Sequence, residues 1–189
     1  MKYKFFRILS FLGFSLLKTK NLNQLIEIEK NIKDLIQFSG KNKGLNIKNA
    51  KSQINQDIFV LYTLNWKRNG FFVEFGATNG IDLSNTYLLE KDFGWRGILS
   101  EPNPHWRNEI ITNRKTYIDF NCVWKETGKN LDFQLSSMPE YSKLKLNNNM
   151  KIKKNNLINV NTITLNDLLK KYNAPKNIDY LSIDTEGSE

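Results

Sequence analysis

The apolar positions change period along the chain. In "TKNLNQLIEIEKNIKDLIQF", residues 19–38, Leu22, Leu25, Ile26, Ile32, Leu35 and Ile36 recur at helical spacing. This predicts an amphipathic helix that packs on a neighbour or pairs in a homo-oligomer. "SGKNKGLNIKNAK", 39–51, is polar and glycine-containing and reads as a linker, so the folded domain is expected to begin at Ser52. "SQINQDIFVLYTLNWKRNG" predicts a helix with Ser52 as N-cap and Gly70 as terminator. Phe71–Phe75 is an apolar run carrying one acid, the pattern of a buried parallel strand. Ser84–Lys91 predicts the next helix, stopped near Gly94, and "RGILSEP" a second strand ended by Pro102. Pro104–Asn113 reads as a helix and "TYIDFNCVW" as a third strand. "KETGKNLDFQL" reads as a turn and a strand, "NLINVNTITLNDLLKKY" as a strand running into a helix, and "IDYLSID" as a further buried strand. Strands alternating with helices at this spacing predict an α/β fold with a largely parallel sheet. Right-handed crossovers then bring the strand C-termini to one edge, and a ligand is expected there, where the strand order reverses.

Composition changes this picture little. The 189 residues, 40% hydrophobic and 12% aromatic, suffice for one packed domain plus an extension. The formal net charge of +9 would suit a nucleic acid or an anionic membrane. The basic residues are dispersed, however, and asparagine takes about one position in seven, as an AT-rich coding bias would produce; no nucleic-acid partner is expected. One cysteine, Cys122, and one histidine give no disulfide and no metal-ligand spacing. The cytoplasm is therefore the default compartment. The N-terminus "MKYKFFRILSFLGFSLLKTK" qualifies that default: basic residues precede an apolar stretch from Ile8 to Leu17, which is too short to span a bilayer and has no small-residue cleavage site. Two readings stand for residues 1–20, peripheral contact with a membrane surface or packing against protein.

The candidate chemistry lies at the strand ends. In "FFVEFGATNGIDLSNTYLLE", Gly76 and Gly80 permit a tight turn with close approach to a ligand, and the helix that follows offers free N–H groups. Glu74, just inside the strand, is suited to accept from an ammonium group or from loop N–H groups. A dinucleotide site would show Gly-x-Gly-x-x-Gly with a pyrophosphate at the helix; here the spacing differs, with Thr78 in the middle, and an acid precedes the loop. The bland reading is an ordinary strand–turn–helix corner. Glu101 closes the second strand about twenty residues further on, where an acid hydrogen-bonds ribose hydroxyls, unless it is simply a solvated loop acid. Asp184 ends the last strand in "IDYLSIDTEGSE", with Glu186 two residues on. Acids there serve as a base, hold a cofactor ammonium, or cap a helix.

These segments together resemble the FkbM-type S-adenosylmethionine-dependent methyltransferases. "SQINQDIFVLYTL", "GFFVEFGATNGIDLSNTYLLEKDFGWRGILSEPNP", "NVNTITLNDLL" and "IDYLSIDTEGSE" are similar to that family's segments in order as well as content. The resemblance covers 52–189 and leaves 1–51 as an N-terminal helical extension and linker. It implies a Rossmann-like class I methyltransferase sheet, S-adenosylmethionine as cofactor, and O-methylation of a sugar or natural-product hydroxyl, so the expected partner is a small-molecule or glycan acceptor. By position it implies that Glu74, Gly76, Ala77 and Gly80 line the methionine end of the cofactor and that Glu101 holds the ribose. It puts Asn121 and Cys122 beside the adenine, and turns Asp184 and Glu186 to the transferring methyl and the acceptor. His105 is a weaker candidate base, expected in solvent. The family's sheet would continue beyond Glu189, so a C-terminally incomplete sheet is expected. Two other classes remain open: an NAD-type oxidoreductase on the same half-fold, and a non-catalytic membrane-associated module. Cofactor binding separates the three.

Overall fold

The structure, a computed structural model, describes residues 47–145 and 156–185. The helix expected over 19–38, the apolar stretch within 1–20 and Glu186 lie outside the described residues. In chain order the strands are β1 (Phe71–Phe75), β2 (Arg96–Ser100), β3 (Tyr117–Asp119), β4 (Cys122–Val123), β5 (Asn130–Gln134), β6 (Lys143–Leu144), β7 (Leu157–Ile163) and β8 (Tyr180–Ile183). The α-helices are α1 (Gln56–Thr63), α2 (Tyr87–Phe93), α3 (Arg107–Asn113) and α4 (Leu165–Lys171). The fold is mixed α/β.

Strands β3-β2-β1-β8 form a wholly parallel sheet in that order. Its residues alternate between two apolar layers, as buried parallel strands require. Phe72 and Leu99 face Ile58 and Leu61 of α1, Leu88, Leu89 and Phe93 of α2, and Ile110 of α3. Val73, Phe75 and Ile98 face the opposite way, onto Ile163 at the end of β7 and Leu168 of α4. Each fully buried Leu or Phe contributes about 1.5–3 kcal/mol relative to exposure, so both layers anchor the sheet. The chain runs from β1 through β2 to β3 at one edge and returns, after the second sheet and α4, to β8 on the other side of β1. The order therefore reverses between β1 and β8, and the ends of these two strands meet there.

A second sheet, order β4-β7-β5-β6, was not anticipated. It is mixed: β4 runs parallel to β7, whereas β5 is antiparallel to both β7 and β6. Its buried face gathers Cys122, Phe133, Leu144 and Val160. The expected third strand, "TYIDFNCVW", is split between the two sheets. Asp119 Oδ1 accepts from the Asn121 backbone N–H and from its side-chain Nδ2, both at 2.8 Å. That local turn takes the Asn121 donor out of the ladder, and the chain leaves the first sheet to enter the second.

The helix expected over 52–70 is shorter. Asn55 is left-handed (φ 63°) and α1 starts only at Gln56; Asn65 and Trp66 (φ 50° and 58°) end it well before Gly70. Ser52 is not its N-cap. It pairs with Leu83 as an isolated parallel bridge, and its Oγ donates to Asp57 Oδ1 at 2.6 Å. Residues 47–51, read as the end of a linker, are fastened to the domain: Asn49 Nδ2 donates to Asp92 Oδ1 at 2.8 Å, and Ala50 packs on the first core layer. Gly94 (φ 66°) terminates α2 as expected, since a left-handed residue after the last turn is cheapest as glycine. Among the described residues no helix is long and apolar enough to cross a membrane.

Candidate functional site

The loop leaving β1 is shaped by two glycines with different tasks. Gly76 has φ 75°, and a Cβ on it would stand 2.0 Å from the Asp184 carbonyl oxygen. Only glycine lets the exits of β1 and β8 approach this closely. Gly80 (φ 82°) turns the other way, where a Cβ would meet the Arg114 side chain at 2.6 Å.

Behind the loop lies a buried polar centre. Glu74 is 1% exposed and points into the layer beneath the helices. Its carboxylate accepts from the Asn85 N–H (2.7 Å), Thr86 Oγ1 (2.5 Å) and Ser84 Oγ (3.1 Å). Arg114, 3% exposed, stands 3.9 Å from it through Nη1. The same guanidinium binds Glu90 Oε2 (2.8 Å), the Gly80 carbonyl (3.0 Å), Ser84 Oγ (3.1 Å) and Thr86 Oγ1 (2.9 Å). Burial raises the Glu74 pKa, against which Arg114 and the loop donors pull down. Of the two kinds of partner expected for Glu74, the structure shows the loop. The polar run "SNT" ahead of α2 is the signal for this arrangement; nothing in the local sequence around Arg114 marks it.

Glu101 closes β2 and is 5% exposed. One carboxylate oxygen accepts from the Thr78 N–H (2.9 Å), the other from the Asn103 N–H (2.8 Å). Burial pushes its pKa up to about 7, with the charge of Glu74 adding to the effect and the two N–H donors opposing it. Each oxygen keeps a lone pair for a further donor.

Glu101 stands in a cleft along the C-terminal edge of the parallel sheet. Gly76, Thr78 and Asp184 line it on the sheet side, with Gln53 and Leu83 above them. Trp106 and Cys122 continue the wall, and the second sheet closes the far side through Phe133, Leu144 and the turn Pro139–Ser142. The Cys122 thiol, 5% exposed, is pushed up to about 12 by burial and the neighbouring Glu101 charge, so it acts as a small apolar surface. The described lining residues include three acids, Glu101, Glu140 and Asp184, and neither lysine nor arginine. Among the described residues no group of acids, histidines and cysteines is arranged to hold a metal ion.

Of the residues singled out in the sequence, the structure brings Gly76, Glu101, Cys122 and Asp184 together on the cleft wall. It places Glu74, Ala77, Gly80 and Asn121 behind that wall. Ala77 is fully buried in the apolar layer, Gly80 abuts Arg114, and the Asn121 amide is turned to Asp119. His105 is exposed, edge-on to Trp106 at 4.4 Å between ring centroids. The sequence reading missed Gln53, Trp106 and the 139–142 turn as walls, because they come from segments far apart in the chain.

Neither a curated protein nor a solved structure matches the chain. The family model for the methyltransferase FkbM domain matches residues 74–189, from the buried acid of β1 through the segment that follows β8. The glycine loop after β1, the acid that closes β2 and the acid that follows β8 all fall within that match, and the chain belongs to the FkbM methyltransferase domain family.

Proposed function

We propose that the chain uses S-adenosylmethionine to methylate a hydroxyl group of a sugar or other small molecule. The parallel strands β3-β2-β1-β8 would form the central part of a Rossmann-like class I sheet. The observation that carries the cofactor reading is electrostatic. The chain has a net charge of +9, yet its described cleft residues offer three carboxylates and no cation. That lining favours a cationic ligand. A nicotinamide dinucleotide would bring its pyrophosphate to the glycine loop after β1, beside Asp184 and with no lysine or arginine among the described lining residues. Like charges about 4 Å apart near a protein surface cost about 4 kcal/mol, so the oxidoreductase reading is disfavoured.

The fit extends to the other parts of the cofactor. Glu101 has two oxygens with free lone pairs, suited to the paired hydroxyls of a ribose. Cys122, Phe133 and Leu144 offer a flat base an apolar seat beside it. When bound, S-adenosylmethionine supplies a methyl group already activated on a cationic sulfur. The protein's contribution is alignment and exclusion of water. Asp184 lines the cleft and would accept the proton of an acceptor hydroxyl. Glu186 would act beside it.

The test is calorimetric titration of S-adenosylhomocysteine into the 189-residue chain and into its Glu101→Ala form. The expected result is binding by the first and a loss of at least about 1.4 kcal/mol, tenfold, in the second. A folded chain that ignores S-adenosylhomocysteine but binds NADH would refute the proposal.

A further inference from the structure

The two walls of the cleft belong to different sheets, and one buried side chain spans them. Asn103 is 2% exposed and all four of its polar groups are bonded, the backbone carbonyl accepting from the Trp106 N–H at 3.2 Å. Its backbone N–H donates to Glu101 Oε1 at 2.8 Å. Its Oδ1 accepts from the His105 N–H at 3.1 Å, capping the short turn Pro104–Trp106 that carries Trp106 into the cleft wall. Its Nδ2 donates to the Pro139 carbonyl at 3.1 Å, across the cleft on the second sheet. The loop that receives this bond is closed on itself: the Ser136 N–H donates to Ser142 Oγ at 3.1 Å, and the Tyr141 N–H to the Met138 carbonyl at 3.0 Å. The 136–142 loop is thus internally bonded, and the Asn103 amide ties it to the segment that holds Glu101.

We propose that Asn103 is a positioning residue that locks the 136–142 loop to Glu101, so that the cleft reads ribose and base as one rigid unit. This rests on the S-adenosylmethionine reading. A ribose held by the Glu101 carboxylate fixes the peptide between residues 101 and 103. The Asn103 side chain then carries that constraint to Pro139, and with it to the wall against which the base lies. Removing the Nδ2 donor leaves the Pro139 carbonyl only its local bond from the Ser142 N–H at 3.1 Å and unties the wall from Asn103, while the carboxylate itself is untouched. The nucleoside half of the ligand should therefore suffer, and by the same factor whether or not an amino-acid tail is attached.

Asn103→Ser isolates the tether, because serine retains an oxygen able to cap the 104–106 turn but is too short to reach Pro139. Adenosine and S-adenosylhomocysteine are titrated into the wild-type and variant chains, and amide hydrogen exchange of residues 136–142 is followed with and without S-adenosylhomocysteine. Wild type should show slowed exchange in the loop on binding. The variant should bind both ligands about tenfold more weakly, by a common factor, with that protection lost and exchange in β1 and β2 unchanged. Equal affinity in the two chains, or a wild-type loop whose exchange ignores the ligand, overturns the inference and leaves the cofactor reading standing. A folded wild-type chain that binds neither ligand overturns both. Should Asn103→Ser fail to fold, Asn103→Thr, which also keeps a capping oxygen and is too short to reach Pro139, takes its place in both measurements.

Discussion

Arg114→Met tests whether the buried polar centre holds the β1 loop. The arginine side chain is fully buried and makes one ion pair and three further hydrogen bonds at 2.8–3.1 Å, with Glu74 at 3.9 Å. Methionine matches its stem but supplies no donors. The Gly80 carbonyl would lose its side-chain donor, and the Glu74 carboxylate would lose its nearest countercharge. Removing one member of a buried charged pair costs about 3–5 kcal/mol, against a total stability of about 5–15 kcal/mol for an ordinary domain. The loss should depend on pH with a definite sign. The folded-state pKa of Glu74 is already raised by burial, so ionising it opposes folding. The stability tied to its neutral form is complete below the unfolded value of about 4.5 and is lost as pH rises through the folded value. Without Arg114 that folded value rises further, so the variant's deficit should be larger at pH 8 than at pH 5.5. Glu74→Gln in the Arg114→Met background removes the stranded charge and should recover about 1–2 kcal/mol. Equilibrium urea unfolding of the wild type, the Arg114→Met and Glu74→Gln single variants and the double variant at both pH values measures this. A deficit below about 1 kcal/mol, or a double mutant additive within about 0.5 kcal/mol, would refute the reasoning.

Further outcomes are expected at the cleft. Burial pushes Glu101 up to about 7, and ribose hydroxyls donate best to its ionised form. Affinity for S-adenosylhomocysteine should therefore rise between pH 6 and pH 7.5 and level off above; calorimetry in buffers of different ionisation enthalpy should show proton release at pH 6.5, and a flat profile would count against Glu101 as the ribose acceptor. Gly76→Ala forces a left-handed alanine and drives its Cβ into the Asp184 carbonyl. It should cost at least about 2 kcal/mol in thermal or chemical unfolding, more than the 1–2 kcal/mol of backbone strain alone would at its lower end. Cys122, buried and pushed up to about 12, should resist an aromatic disulfide reagent at pH 8 until the chain unfolds; labelling of the native chain on the seconds scale would contradict that burial.

The alternation of apolar runs and helical spacing in the sequence was enough to define the parallel strands β1, β2 and β8, each read as a buried strand ending at a loop. Local chemistry does this, because a short apolar run bounded by glycine or proline has few other ways to hide its side chains. The same local information placed Gly76, Glu101 and Asp184 at the sheet's C-terminal edge. It did not show that the third apolar run would divide at Asp119, because the choice between continuing a ladder and closing a side-chain turn depends on which neighbour is there to pair with. Nor did it show that Glu74 would face away from the cleft. A strand residue has two faces, and only the packing of Arg114 against the loop decided which one received the acid. The far wall of the cleft, Phe133, Leu144 and the 139–142 turn, comes from a second sheet whose strands pair across long stretches of chain. Such contacts are settled by tertiary packing, and no local pattern encodes them.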